Sequence, residues 1–251
     1  MASLVILGTA AAVPDSEHEN THMALVAKQG VVLVDCVGTP TVRLAEAGIS
    51  LNAISDLVVT HFHPDHVSGI PMLLMGMWLQ GRTQPLTIHG LEHCLERVRG
   101  TMDFYDWQTW PGFFQVQFHD LPEEEGVQVL EREDFRVIAS PVVHLIPTIG
   151  LRFESRPEGR AIVYSCDTEP CDALRNLAEG ANVLLHEASG ANPGHSTAAQ
   201  AGELARQAGV KRLLLIHYPL GEAIGRQMLA QAEVSFGASV ALAKDLMTID
   251  L

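Results

Sequence analysis

Short apolar runs recur along the chain, and each reads as a strand bounded by turn-forming residues. The runs are Ser3 to Leu7, Met23 to Ala27 and Val31 to Asp35 (a hairpin around Gln29 and Gly30), Ile54 to Val59, Leu86 to His89 and Phe135 to Ala139. Ile149 to Glu154 and Arg160 to Tyr164 form a second hairpin turning at 156–159. Asn182 to His186, Lys211 to Ile216 and a closing hairpin over Ser239 to Leu251 complete the set. Between them the spacing predicts helices over Thr41 to Ala47, Val67 to Gln80, Leu91 to Arg99, Cys171 to Glu179 and Glu222 to Gln231. A further helix runs to Ala208 and starts at Thr197, whose partner three positions on is Gln200, the spacing of a capping box. The 67–80 helix carries Ile70, Leu73, Leu74, Met75, Met77, Trp78 and Leu79 with almost no polar face, so it must be buried. Strands come first in each half and helices follow, which predicts an α/β fold of two facing sheets with helices outside.

At 251 residues and 47% hydrophobic composition, the chain can bury a substantial core, and we expect one domain over 1–251. No stretch approaches the roughly 20 apolar residues of a membrane span. The start, Met1 to Val13, imitates a leader peptide but lacks a basic beginning and has a short apolar core, so it reads as a first strand. Cys36, Cys94, Cys166 and Cys171 form no Cys-x-x-Cys pair and no secretory framework, which favours a reducing, cytoplasmic compartment. Thirty acidic against sixteen basic residues give a formal charge of −14, with no Lys/Arg run longer than two, and this argues against nucleic acid as a partner. The segment from Gly100 to Glu131 has no Lys or Arg and holds seven of the fourteen aromatic residues, composition suited to a pocket wall or lid, to dimer packing or to a satellite core.

Candidate chemistry is concentrated directly after the 54–59 run, where His61, His63, Asp65 and His66 fall within six positions. Neutral imidazole and carboxylate are the ligands a borderline cation such as zinc prefers, so His-x-His-x-Asp-His points to one or two hydrolytic metals rather than to a His-rich surface turn.

With these residues the chain resembles the metallo-β-lactamase superfamily. That resemblance implies a four-layer αββα sandwich and further ligands supplied by His144, Asp167 and His217, each following a strand-like run. His186-Glu187-Ala188-Ser189 followed by His195-Ser196-Thr197 resembles the paired motifs of the ribonuclease Z-like branch, which cleaves phosphodiesters, and Leu7-Gly8-Thr9 with Val34-Asp35-Cys36 fits it too. By this resemblance His61, His63 and His144 bind one metal, Asp65, His66 and His217 a second, and Asp167 bridges them. The cofactors implied are two divalent ions, zinc foremost, with manganese or iron as alternatives. Asp65 holds the proton of the attacking water, His195 assists the departing oxygen and Glu187 orients His195. His186 and Asp35 are expected to support the site without binding metal, and Cys166 to be a small buried residue.

Within the branch, two departures separate this chain from tRNA-processing relatives. Its 14–20 loop carries Asp15, Glu17 and Glu19 where theirs is basic, and the 22 residues between His144 and Asp167 leave no room for their tRNA-gripping arm. The expected activity is therefore hydrolysis of a small or apolar phosphodiester by a homodimer. The rivals are a tRNA 3′ endonuclease, a lactonase, β-lactamase or aryl sulfatase, and a non-catalytic metal-binding module.

Overall fold

The computed structural model describes residues 2–156 and 158–251; position 157, within the expected turn at 156–159, and the first residue lie outside them. The elements in order are β1 (Ser3–Gly8), β2 (His22–Ala27), β3 (Gly30–Val34), α1 (Pro40–Glu46), β4 (Ile54–Val58), α2 (Pro64–Val67), α3 (Ile70–Leu79), β5 (Leu86–Leu91) and α4 (Glu92–Asp103). After these come β6 (Val116–Leu121), β7 (Val127–Glu131), β8 (Phe135–Val142), β9 (Thr148–Ser155), β10 (Ala161–Tyr164) and α5 (Asp172–Ala178). The last are β11 (Val183–Glu187), α6 (Ala198–Gln207), β12 (Leu213–Ile216), α7 (Glu222–Phe236), β13 (Val240–Leu242) and β14 (Thr248–Asp250).

Two seven-stranded mixed sheets result, ordered β14-β1-β2-β3-β4-β5-β6 and β13-β12-β11-β10-β9-β8-β7. Strand periodicity explains why the runs are apolar throughout. In β1, Leu4 and Ile6 enter the core between the sheets, while Val5 and Leu7 enter a second core under α1, α3 and α4. β3 divides in the same way, Val32 and Val34 inward and Val31 and Leu33 outward. A third core lies between the other sheet and α5, α6 and α7, with Leu174, Leu177, Leu204 and Met228 meeting Leu184 and Leu213. Three cores require four layers, αββα, as expected. A slip of one residue in any central strand would exchange its two sets of side chains between cores of different shape, so the register is strongly specified.

Four expectations need correction. The 67–80 helix is two helices, broken at Ser68 and Gly69: Pro71 lacks the N–H a continuous helix needs, and Gly69 lies so close to Val37 that a Cβ there would stand 2.8 Å from its backbone. Nor is α3 fully buried, since Met72 and Leu79 face outward at 49% and 68% exposure. The closing hairpin does not exist; β13 pairs parallel with β12 and β14 antiparallel with β1, so the end of the chain joins both sheets. Finally, the aromatic 100–131 segment is not a lid: it contains β6 and β7, one edge strand for each sheet, and its Trp107, Trp110, Phe113 and Phe118 pack on the α3/α4 core, as the satellite-core reading expects. Expected features also hold: Thr197 and Gln200 form the capping box of α6.

Candidate metal centre

Asp35 follows β3, the 60–66 segment follows β4, His144 follows β8, Asp167 follows β10, Glu187 ends β11 and His217 follows β12. Each side chain is thus delivered by the end of a strand, from both sheets, to one edge of the sandwich. The backbone there is strained. Asp35, Cys166 and His217 adopt φ of 58°, 54° and 49°, three of the five non-glycine residues with positive φ among those described. At His217 and Asp35 this turn converts an outgoing strand into a side chain aimed back at the cluster.

Asp35 governs two of the imidazoles. Its buried carboxylate accepts the Thr60 N–H at 2.9 Å, the Thr60 hydroxyl at 2.8 Å and the His66 Nδ1–H at 2.8 Å. Because the Thr60 proton is committed to Asp35, its oxygen is left to accept from His61 Nδ1 at 3.2 Å. His144 donates Nδ1–H to the Gly194 carbonyl at 2.7 Å. In all three rings Nδ1 is held by one of these acceptors, which leaves Nε2 as the nitrogen turned toward a cation. Cys166 Sγ touches His61 Nδ1 at 3.4 Å, the ring nitrogen that does not face His63, and is fully buried.

The structure brings all seven expected ligands together. His61 Nε2 and His144 Nε2 lie 3.1 and 3.2 Å from His63 Nδ1, and both lie 4.0 Å from Asp167 Oδ2. A second group sits beside it: Asp65 Oδ2 is 3.8 Å from His66 Nε2 and 3.9 Å from His217 Nε2. Asp167 joins them, with Oδ2 3.2 Å from His217 Nε2 and Oδ1 3.6 Å from His66 Nε2. A tetrahedral ion with bonds of about 2.0–2.1 Å separates its ligand atoms by about 3.3 Å, so the spacing fits divalent cations.

Satisfaction and charge agree with that fit. His66 Nε2 and Asp167 Oδ1 are buried with no protein hydrogen-bond partner, which a structure tolerates only where something else meets them. Burial holds His61, His63 and His144 below the usual imidazole pKa, keeping them in the neutral form that binds metal. At His66 burial opposes charge, yet the Asp167 and Asp35 carboxylates outweigh it and raise the pKa well above normal, so positive charge is favoured at this point.

Beside the cluster, Glu187 is fully buried and organises the adjoining loops. Its carboxylate accepts N–H groups of Thr168 (3.2 Å), Ser189 (2.7 Å) and Ser196 (2.9 Å), and also His195 Nδ1 at 3.1 Å. That bond to Glu187 raises the pKa of the partly buried His195 above the imidazole norm. His195 lies against His144, ring centroids 5.0 Å apart, and lines a cleft of about 590 Å³ together with His63, Asp65, Asp167 and His217. His186 alternates to the other side of β11, where its Nδ1 meets the Glu187 carbonyl at 2.8 Å; it makes no hydrogen bond to the cluster among the described residues. No residue of 100–131 lines this cleft. Met102 and Tyr105 instead border a separate apolar hollow with Phe62 and Pro64.

Two contributors escaped the sequence reading. Gly194 holds His144 through its carbonyl and adopts φ +79°, while Glu169 fixes Gly194 by accepting its N–H at 2.8 Å. The Asn192-Pro193-Gly194 run just before His195 was the available signal of a rigid turn.

Residues 31–218 match the beta-lactamase superfamily domain. The ribonuclease Z of Methanothermobacter thermautotrophicus is 30% identical over 306 aligned residues, covering 100% of this chain and 97% of its own length. Human tRNase Z, short form, superposes with a TM-score of 0.78 at 26% identity, covering 99% of this chain and 98% of its own. A metallo-beta-lactamase fold protein from Bacillus subtilis reaches 0.82 at 18% identity, covering 99% and 98%, and speaks to the fold alone.

These relatives overturn the expectation that charge argues against nucleic acid as a partner, because proteins matching the chain from end to end are ribonucleases by name. The physical fault lay in using net charge: −14 describes the whole surface, whereas a scissile phosphate meets only the floor of one cleft, where the fold family places divalent metal. Strand-end ligands, a Glu-His pair at their side and whole-chain similarity converge on one assignment: the chain belongs to the metallo-β-lactamase superfamily, in its ribonuclease Z-like branch, and is a metal-dependent hydrolase of ester bonds.

Proposed function

We propose that the chain is a phosphodiesterase of the ribonuclease Z type that cleaves RNA, with the 3′ side of tRNA as the leading substrate. The observation that carries this reading is the Glu187–His195 pair opening into the same cleft as the seven-ligand cluster, in a chain similar throughout to ribonucleases Z. In this reading His61, His63, His144, Asp65, His66, His217 and Asp167 would hold divalent ions, with zinc the first choice for this donor set. Such ions, when bound, lower the pKa of water and draw charge off phosphate oxygens. Asp65, at the cleft side of its group, accepts the proton of the attacking water. His195 donates to the departing ribose oxygen, a poor leaving group that needs a proton. Glu187 keeps His195 protonated and turned toward the cleft.

Hydrolysis of a small phosphodiester is the second reading, and one observation favours it: the interval from His144 to Asp167 is occupied by β9 and β10, with no projecting arm to grip a folded RNA among the described residues. Incubating the zinc-loaded protein with a tRNA precursor and with bis-p-nitrophenyl phosphate separates the two. Cleavage at the 3′ side of the precursor supports the first, and turnover of the small diester alone rejects it.

The same reading takes residues 1–251 as one domain acting as a homodimer in the cytoplasm. Support for pairing comes from Met72, Leu79, Phe104 and Tyr105, large apolar side chains 49%, 68%, 89% and 55% exposed on α3 and just after α4. Four free cysteines support the compartment, and none of the described helices is long and apolar enough to cross a membrane.

A further inference from the structure

The buried Cys166 thiol is used neither by the seven-ligand cluster nor by the Glu187–His195 pair. Its backbone lies in the left-handed region, φ 54°, which glycine enters at no steric cost and other residues avoid. Asp35 and His217 share that conformation, and in both the turn delivers a side chain that the cluster uses. At Cys166 the peptide is pinned by Ser165, whose hydroxyl donates to the Cys166 carbonyl at 2.7 Å and accepts the Glu187 N–H at 2.9 Å. A strained residue held in this way persists where its side chain brings something in return.

What the turn accomplishes is to bracket one imidazole. Cys166 Sγ stands 3.4 Å from His61 Nδ1, and the next residue, Asp167, brings Oδ2 to 4.0 Å from Nε2 of the same ring. The other partner of Nδ1, the Thr60 hydroxyl, is 3.2 Å away, at the long limit of an N–H···O bond, so it does not fix the ring alone. Sulfur is a weak acceptor, and here it completes a seat of two acceptors for one N–H. The opposite nitrogen sets the direction: Nε2 binds a cation only through a lone pair, so Nδ1 carries the hydrogen and the thiol accepts it. Independently of the cysteine, His66 Nε2 and Asp167 Oδ1 point to an ion here, both buried without a protein hydrogen-bond partner. His61, His66 and Cys166 bring nitrogen and sulfur atoms within 4.8 Å of one another.

We propose that Cys166 is a positioning residue of the metal centre: its sulfur accepts the Nδ1–H of His61 and so holds Nε2 of that ring on the cation. The proposal rests on the reading of His61 as a metal ligand and gives the cysteine a role beyond filling space. Hydrogen-bond partners of metal-bound histidines change metal affinity by about 10–100-fold when removed. A weak acceptor that shares its proton with Thr60 belongs at the lower end of that range.

The test compares the full chain with its Cys166→Gly and Cys166→Ala variants. Zinc affinity is read by competition with a chromophoric chelator, and melting temperatures are taken on the metal-free proteins. Both variants lose the sulfur and should bind zinc about tenfold more weakly. Their metal-free melts should part, because alanine keeps the left-handed strain that glycine relieves, which places Cys166→Gly about 3 °C or more above Cys166→Ala. A sulfur that only filled space would instead make affinity follow the melts. In zinc-loaded protein isotopically labelled at histidine, the His61 Nδ1–H resonance should move in Cys166→Gly. Those of His66 and His144, held by Asp35 and Gly194, should stay in place. Zinc affinity within about twofold of wild type in either variant, affinity that ranks with the melts, or an unmoved His61 resonance overturns the proposal while leaving the ligand reading intact. A thiolate-to-cobalt absorption band in the cobalt-loaded wild type overturns it too, by making the sulfur a ligand. Wild-type protein that binds no zinc overturns the reading of His61 as a ligand and this proposal with it.

Discussion

Replacing His195 by alanine isolates the proton donor from the metal cluster, and the structure shows why the experiment is clean. The Glu187 carboxylate keeps three backbone N–H partners, from Thr168, Ser189 and Ser196, after the imidazole is removed. No buried charge is orphaned, and the stability loss should stay near the ~1 kcal/mol of one ordinary hydrogen bond, or roughly 2–4 °C in Tm. Removing Glu187 itself would instead strand those three donors at about 1–3 kcal/mol each, a sum comparable to the whole stability of a domain. A positioned general acid contributes about 10²–10⁴ in rate, equivalent to roughly 2.7–5.4 kcal/mol of barrier. His195→Ala should therefore lose about 10²–10⁴ in kcat on an RNA or alkyl diester, whose alkoxide needs protonation, and less than about tenfold on bis-p-nitrophenyl phosphate, whose phenolate does not. The assay is steady-state turnover of both substrates on protein whose metal content has been measured by emission spectrometry. Equal losses on the two substrates, or an undiminished rate on the poor leaving group, would refute the acid role.

Other expectations address the remaining parts of the site. His63→Ala should lose stoichiometric metal while its circular dichroism stays native; full loading with wild-type turnover would remove His63 from the ligand set. In Glu187→Gln the bond that raises the His195 pKa is weakened, and because the acid form exists only below that pKa, the alkaline limb of the pH–rate profile should move to lower pH; an unmoved limb contradicts the pairing. Gly194→Ala places a Cβ 2.8 Å from His144 Nδ1 at a φ of +79°, so it should destabilise the fold by about 1–3 kcal/mol and weaken metal binding, read by thermal melts and metal titration. Dialysis against a chelator should lower Tm and re-addition of zinc should restore it, since a ligand of the native state alone stabilises by mass action; an unchanged melt would show that the cluster holds no tight ion.

Much of the site was legible because its ligands are chemically conspicuous and because each follows an apolar run. His61 to His66 could be read from residue types alone, whereas His144, Asp167 and His217 became visible only through the resemblance to the superfamily. Contacts made by ordinary residues were not legible. Thr60 relays Asp35 to His61 through a hydroxyl, and Glu169 reaches His144 through a glycine carbonyl, arrangements that depend on loop coordinates. In the fold, continuous apolar runs revealed strands buried on both faces. The edge strands β6 and β7 were missed because exposure dilutes the apolar signal, with Gln117, His119 and Asp120 interrupting one and Gln128 the other. The closing strands were assigned to one hairpin because pairing partners more than 200 residues apart, such as Leu4 and Ile249, leave no local mark.

The cluster draws His61, His63, Asp65 and His66 from one sheet and His144, Asp167 and His217 from the other. Neither half of the chain can assemble a complete set alone, so tight ion capture must await the docking of both halves and comes late in folding. A bound ion then acts as a clasp across the seam, and resistance to prying the halves apart should track occupancy more closely than the resistance of either sheet to local opening.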